Sequence, residues 1–253
     1  MKTHEQAIEP VLEPMIAQTD HFVINPALQP KVLLVGTTQT PVLIIDDFVV
    51  DIDALINDAA SADFQQDAHS YYPGVRAILP RPYVISVLNA VYQFMCQVYQ
   101  IPTDRRLKPQ DIWYSLITTK EQDLKPLQCL PHFDSTDPYY FAILHYLSPE
   151  PHGGTGLFRH RPTGLEKISQ TGQAGYFQAA QQYLATHGAP SQRYCVQSDD
   201  HYELYQTLAY RQNRLVIYPG NLLHSSLVNP ATDIAAAISA GRLTANIFIN
   251  FLA

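Results

Sequence analysis

The apolar residues between 84 and 98 recur at helical spacing: Val84, Val87, Leu88, Val91, Phe94, Met95 and Val98 form one stripe behind Pro82. Proline suits a first helical turn, where its missing N–H is not needed. Residues 82–99 are therefore predicted as a helix laid against a sheet. Upstream, VLIIDDFVV at 42–50 predicts a strand entering a turn. Asp51 follows, and an aspartate can accept the free N–H groups of a first turn, which predicts a short helix through residue 60. Residues 64–77 hold the turn signal Tyr71-Tyr72-Pro73-Gly74 and are expected as an ordered loop. From residue 111 the rhythm shortens. Segments 112–118, 139–147, 214–218 and 242–252 are brief and rich in aromatic and β-branched residues, as strands are. One helical stripe interrupts them at 174–186, carried by Tyr176, Phe177, Ala180, Tyr183 and Leu184. Helices first and antiparallel-looking strands after predict a mainly β fold, a sandwich or barrel, with flanking helices.

Composition narrows this picture. A chain of 253 residues, 46% hydrophobic and 15% charged, can bury one sizeable core. The expected organisation is a single domain over 1–253. Residues 1–110 would form an N-terminal extension and supporting helices, and residues 111–253 a β core with a helical insertion near 165–210. Residues 1–30, rich in Pro and Glu, are expected along the surface. The net charge of -7, with no stripe of Lys or Arg, excludes a general phosphate-binding surface and predicts no nucleic-acid partner. The small basic group Arg105, Arg106 and Lys108 reads as a solvated loop. No segment approaches the roughly 20 apolar residues that span a bilayer, and residues 1–14 lack the apolar run of a signal peptide. Cys96, Cys129 and Cys195 are odd in number and widely spaced, which fits neither a disulfide framework nor a zinc site. The expectation is a cytoplasmic protein without a membrane partner, with a homodimer left open.

The candidate chemistry begins at His132-Phe133-Asp134. Residues two apart in an extended chain share a face, so this imidazole and carboxylate can converge on one ion. A distant His224 follows the strand at 214–218 and the turn Pro219-Gly220-Asn221. Two imidazoles and one carboxylate on an octahedral ion leave three positions open, the arrangement non-haem Fe(II) uses. Arg242, Thr244 and Asn246 are likewise two apart and share a face of the last strand.

Pro131-His132-Phe133-Asp134, His145-Tyr146-Leu147-Ser148, Gly153-Gly154-Thr155 leading to Phe158, the run Arg214 to Pro219, Leu223-His224-Ser225 and Gly241-Arg242-Leu243-Thr244 occur in that order. From about residue 111 to 253 the sequence thereby resembles the Fe(II)/2-oxoglutarate-dependent dioxygenases, especially their prolyl-hydroxylase-like branch. The resemblance implies a double-stranded β-helix, a jelly-roll barrel of cupin type, and a hydroxylase using Fe(II), O2 and 2-oxoglutarate. It implies His132, Asp134 and His224 as metal ligands. It further implies Arg242 and Thr244 on the distal carboxylate of 2-oxoglutarate, with Tyr146 hydrogen-bonding the same group. In related halogenases a small residue replaces the carboxylate, so Asp134 favours hydroxylation or another oxidation.

Two other classes stay open on the residues alone. One is a cupin-like metal-dependent dioxygenase that does not use 2-oxoglutarate, and the other is a non-catalytic ligand-binding barrel. The substrate is open among a protein side chain, an amino acid and a small metabolite. Arg76, in the Tyr-Tyr-Pro-Gly loop region, is a candidate substrate contact. His145 is expected on the outer layer, His152 and His160 at the surface, and Trp113 and Tyr114 in the core.

Overall fold

The computed structural model describes residues 22–253 except 68, 69 and 150. The readings made on residues 1–21 lie outside the described residues. In chain order the elements are β1 (Lys31–Val35), β2 (Thr40–Ile45), α1 (Ile52–Ala60), β3 (Gln65–Gln66), β4 (Gly74–Ile78), α2 (Arg81–Val98) and β5 (Arg106–Ile117). After them come β6 (Tyr140–Tyr146), β7 (Thr155–His160), α3 (Gln173–His187), β8 (Tyr202–Leu208), β9 (Leu215–Pro219), β10 (His224–Ser226) and β11 (Leu243–Leu252).

Both predicted N-terminal helices form for the expected reasons. The Asp51 side chain accepts from Ala54 N–H at 3.1 Å and caps α1. Helix α2 carries proline in its first turn and buries Val84, Val87, Val91 and Met95, the core of the predicted stripe.

The strands pair antiparallel throughout, eight in the order β1-β2-β9-β6-β11-β5-β4-β3 and three in the order β10-β7-β8. Register decides which residues meet. The row Ala77, Tyr114, Ala245, His145 and Leu215 lies on one face of the large sheet. There it packs with α1 and α2 in the main core. The adjacent row, Arg76, Ser115, Thr244 and Tyr146, lies on the other face. That second face packs through Ala142, Leu144 and Val216 against Leu157 and Leu208 of the small sheet.

The structure changes several expectations. Residues 64–77 are not a loop, because β3 and β4 add to the sheet beside β5, which begins at Arg106 rather than at 112. A Cβ on Gly74 would collide with the Leu116 carbonyl, so glycine permits this close pairing. The segment before residue 81 therefore contributes four strands as well as a helix. Among the described residues no ladder joins the two sheets, so hydrogen bonding does not close them into the expected barrel. Among the named strands the three-residue β10 pairs only with β7, and it stops short of bridging the two sheets. No helix among the described residues is long and apolar enough to cross a membrane.

Candidate functional site

The loop before β6 and the start of β10 meet through their backbones. His132 N–H donates to His224 O at 2.9 Å, and His224 N–H donates to His132 O at 2.8 Å. Asp134 is fixed next to them by its own N–H, which donates to Gly220 O at 2.7 Å. Gly220 allows that approach, since a Cβ there would meet the Tyr140 ring at 2.6 Å and Asp134 Cβ at 3.3 Å. The ligand atoms of His132, Asp134 and His224 consequently lie within 4.8 Å of one another. His132 Nε2 is 3.7 Å from Asp134 Oδ1, and His224 Nε2 is 3.7 Å from Asp134 Oδ2.

The electrostatics of this set are those of an ion site. His224 Nδ1 lies 2.9 Å from the Leu222 carbonyl, which can only accept, so Nδ1 carries the proton and Nε2 offers a lone pair. Asp134 Oδ2 is buried without a hydrogen-bond partner. Burial pushes the Asp134 carboxyl up, while His224 and Arg76 pull it down. An unpaired buried carboxylate is costly, and a divalent cation facing it would offset that cost. The donor set of two nitrogens and one oxygen suits ferrous iron with open positions.

Both sheets then line one cavity of ≈ 100 Å³ that includes all three of these residues. Thr244, Asn246 and Phe248 of β11, with Arg242 immediately before it, line the cavity at period two, and Thr155 and Ser226 face them from the small sheet. Arg242 is 1% exposed. Its Nε donates to Gly153 O at 2.6 Å and Nη2 to Gly154 O at 3.4 Å. Among the described residues no carboxylate comes within ion-pair distance of it, so a buried guanidinium stands without a counter-charge. Tyr72 lines the same cavity with a buried hydroxyl that makes no hydrogen bond of good geometry, although the Ser115 side chain acts on it, and burial pushes that phenol up to about 12. Asn246 Oδ1 is also buried and unpartnered, although its Nδ2 donates to Ser115 Oγ at 3.2 Å.

Of the residues singled out in the sequence, His132, Asp134, His224, Arg242, Thr244 and Arg76 all line this cavity. Tyr146 does not. Its hydroxyl lies 2.9 Å from Thr155 Oγ1, and Thr155 stands between it and the cavity. Tyr72 belongs to the predicted Tyr-Tyr-Pro-Gly turn, and the pairing of β4 with β5 brings it to the site.

The histidine expectations need correction. His160 is fully buried, with Nε2 3.0 Å from His201 Nε2 and Nδ1 2.7 Å from Thr163 Oγ1. His152 has 7% of its side chain exposed and lies 3.0 Å from the buried Asp233 carboxylate. Asp233 also gathers N–H groups from Gly153 and Asn229, which draws the whole Gly-Gly loop inward. His145 needs none: as expected, it points away from Tyr146 to the outer, helix-facing side of the large sheet, where it is buried against Tyr83.

The predicted insertion helix is α3. Its Tyr176 and Phe177 rings both stand 6.0 Å from Phe133, the residue between two candidate ligands. Tyr176 is tied in turn to Tyr202 of β8, hydroxyl to hydroxyl at 2.9 Å.

A family model described as "Family of unknown function (DUF6445)" matches residues 26–249. No curated protein matches the chain. Among solved structures, HygX from Streptomyces hygroscopicus, with nickel and 2-oxoglutarate bound, is similar at 13% identity and a TM-score of 0.45, over 83% of each chain. SnoN, described as a non-haem alpha-ketoglutarate-dependent epimerase from nogalamycin biosynthesis, is similar at 10% identity and a TM-score of 0.46. That match covers 84% of this chain and 79% of SnoN. AviO1 from Streptomyces viridochromogenes Tue57 is similar at 11% identity and a TM-score of 0.41, over 83% of this chain and 89% of AviO1. Likenesses this distant transfer neither a site nor a reaction.

Proposed function

The chain belongs to the DUF6445 family, whose function is unknown, so its chemistry has to come from the site itself, and we propose that it is an Fe(II)- and 2-oxoglutarate-dependent oxygenase. The observation that carries this reading is the solitary buried charge of Arg242, opening onto the same cavity as the His132, Asp134 and His224 donors. A cation site alone would suit many metalloproteins. A cation site and an uncompensated guanidinium in one cavity call for a small dianion, able to chelate at one end and pair at the other.

In this reading His132, Asp134 and His224 hold the iron, and Arg242 takes the distal carboxylate of 2-oxoglutarate through its planar fork. Thr244 and Tyr72 offer hydroxyl groups to the same carboxylate, with Thr155 and Tyr146 behind them. Ferrous iron, when bound, supplies O2 activation and oxidation of an unactivated C–H bond, with 2-oxoglutarate as the co-reductant. The chain's own part is to set ligand geometry and to keep bulk water out between the two sheets. Asp134 keeps the carboxylate position filled, which favours hydroxylation or a related oxidation over halogenation. The two facing antiparallel sheets fit a double-stranded β-helix of the prolyl-hydroxylase-like branch. A dioxygenase without 2-oxoglutarate would leave Arg242 buried with nothing to pair.

Anaerobic addition of Fe(II) and 2-oxoglutarate to the purified protein tests the reading. A visible charge-transfer band is expected from the chelate. Absence of the band, with iron shown to be bound, would rule the chelate out.

A further inference from the structure

Once Arg242 is assigned to the co-substrate, the cavity still holds a second guanidinium. Arg76 comes from β4, with 14% of its side chain exposed. The two arginines occupy different ends. Arg242 is at the closed end, 1% exposed and surrounded by Tyr146, Tyr210 and the Gly153 carbonyl. Arg76 is on the side of the candidate ligands, close enough for its charge to act on both the His132 imidazole and the Asp134 carboxyl. The His132 side chain on that side is 57% exposed, so this end is the mouth.

The bonding of Arg76 is incomplete in a specific way. Nη1 pairs with Asp67 Oδ2 at 3.1 Å, and the Tyr72 ring lies under the guanidinium, 4.6 Å from its carbon. Nε is buried and has no acceptor. The Nε–Nη2 edge, the side of the fork that a carboxylate meets with two parallel hydrogen bonds, is therefore unused. A buried donor without an acceptor calls for an explanation, and here the unused edge belongs to a residue that lines the cavity.

We propose that the Nε–Nη2 edge of Arg76 binds a carboxylate of the primary substrate, so that the enzyme acts on small carboxylic acids held with a C–H bond toward the His132–Asp134–His224 set. Asp67 orients the guanidinium from its far side, and the Tyr72 ring fixes its plane. This substrate class rests on the oxygenase reading above, but the site it names does not require 2-oxoglutarate to be the co-substrate.

The test uses the full-length protein loaded with Ni(II), with and without 2-oxoglutarate. The probes are acetate, propionate, benzoate and the common L-amino acids, each compared with its primary amide. Trp113, the single tryptophan, sits on β5 two residues from Ser115, which pairs with Arg76, and its fluorescence reports binding. The expected result is that one or more acids bind at least tenfold tighter than the matching amides. Arg76→Gln should weaken those acids at least tenfold and leave 2-oxoglutarate affinity unchanged, with Arg76→Lys intermediate. Acids binding no better than amides would overturn the proposal, as would unchanged acid affinity in both Arg76 variants. Loss of 2-oxoglutarate affinity in Arg76→Gln would also overturn it, by giving Arg76 to the co-substrate. Failure of 2-oxoglutarate to bind the wild type would instead strike the oxygenase reading, and the acid-against-amide comparison would still decide on Arg76.

Discussion

His132 and His224 are joined by a reciprocal pair of backbone hydrogen bonds, 2.9 and 2.8 Å long, that bring their rings to a centroid separation of 4.3 Å. The candidate ion site is thus built by main chain, and a ligand side chain can be removed without removing what holds the two segments together.

Asp134→Ala should therefore keep the fold and lose the metal. The apo variant should melt no lower than the wild type, since the substitution deletes a buried carboxylate oxygen that has no partner. Thermal stabilisation by added Ni(II) or Fe(II) should disappear. Wild-type metal affinity in the variant would show that Asp134 is not a ligand.

Arg242→Ala should weaken 2-oxoglutarate. Removing one side of a desolvated charge pair costs about 2–5 kcal/mol. At roughly 1.4 kcal/mol per tenfold, that is at least a tenfold loss of affinity. Arg242→Lys should recover only part of it, because an ammonium cannot supply the bidentate fork. Metal affinity should hardly move. Titration of 2-oxoglutarate into the metal-loaded variants measures both effects, and an unchanged affinity in Arg242→Ala would remove the assignment.

Tyr72 and Tyr146 should separate under the same titration. The Tyr72 phenol, pushed up to about 12 by burial, is a proton donor at neutral pH, and within the protein it makes no hydrogen bond of good geometry, although the Ser115 side chain acts on it. Tyr72→Phe should cost several-fold in 2-oxoglutarate affinity. Tyr146→Phe breaks the bond to Thr155 and should appear mainly as lost stability, about 1 kcal/mol in denaturant unfolding. The reverse pattern would return the carboxylate contact to Tyr146.

Phe177→Ala tests whether α3 braces the metal loop. Phe177 is 45% exposed, so its removal should lower stability by no more than about 1 kcal/mol. It should nevertheless reduce metal affinity several-fold, because Phe133 loses one of the two rings that hold it between His132 and Asp134. Calorimetric titration of the metal would decide, and unchanged affinity would leave α3 without this role.

His145 should govern part of the acid sensitivity. Asn213 Oδ1 can accept only from a protonated Nε2, at 3.1 Å, so Nδ1 accepts from the Tyr83 hydroxyl at 2.8 Å and the ring is held neutral. Burial pushes this imidazole down to about 4. The unfolded chain binds the proton first, near pH 6.5, so the contribution is complete above that pH and is lost as pH falls toward 4. The displacement corresponds to about 3 kcal/mol. Urea unfolding at pH 7 and pH 4.5 should show a smaller difference for His145→Gln than for the wild type. An identical difference would assign the acid limb to other groups.

What the sequence determined by itself was local, or ordered along the chain. The Asp51 cap needs only Ala54, and the α2 stripe needs only its own spacing, so both were legible before any fold existed. The strands at 139–147, 214–218 and 242–252 were legible because their apolar runs announce burial on any sheet. The family resemblance implied that His132, Asp134, His224 and Arg242 serve one site, and all four line one cavity. The tertiary structure decided everything that depends on a partner far along the chain. Strands β3 and β4 carry little strand signal; β4 exists because β5 offers it a ladder, and β3 because β4 does. His152 and His160 are polar residues by type, and only Asp233 and His201, supplied from distant segments, allow them to be buried. The same holds for the cavity. No spacing of residues could show that Tyr146 ends on Thr155 while Arg76, paired with Asp67 through Nη1, keeps its Nε without an acceptor, because hydrogen-bond satisfaction is settled by where other segments come to rest.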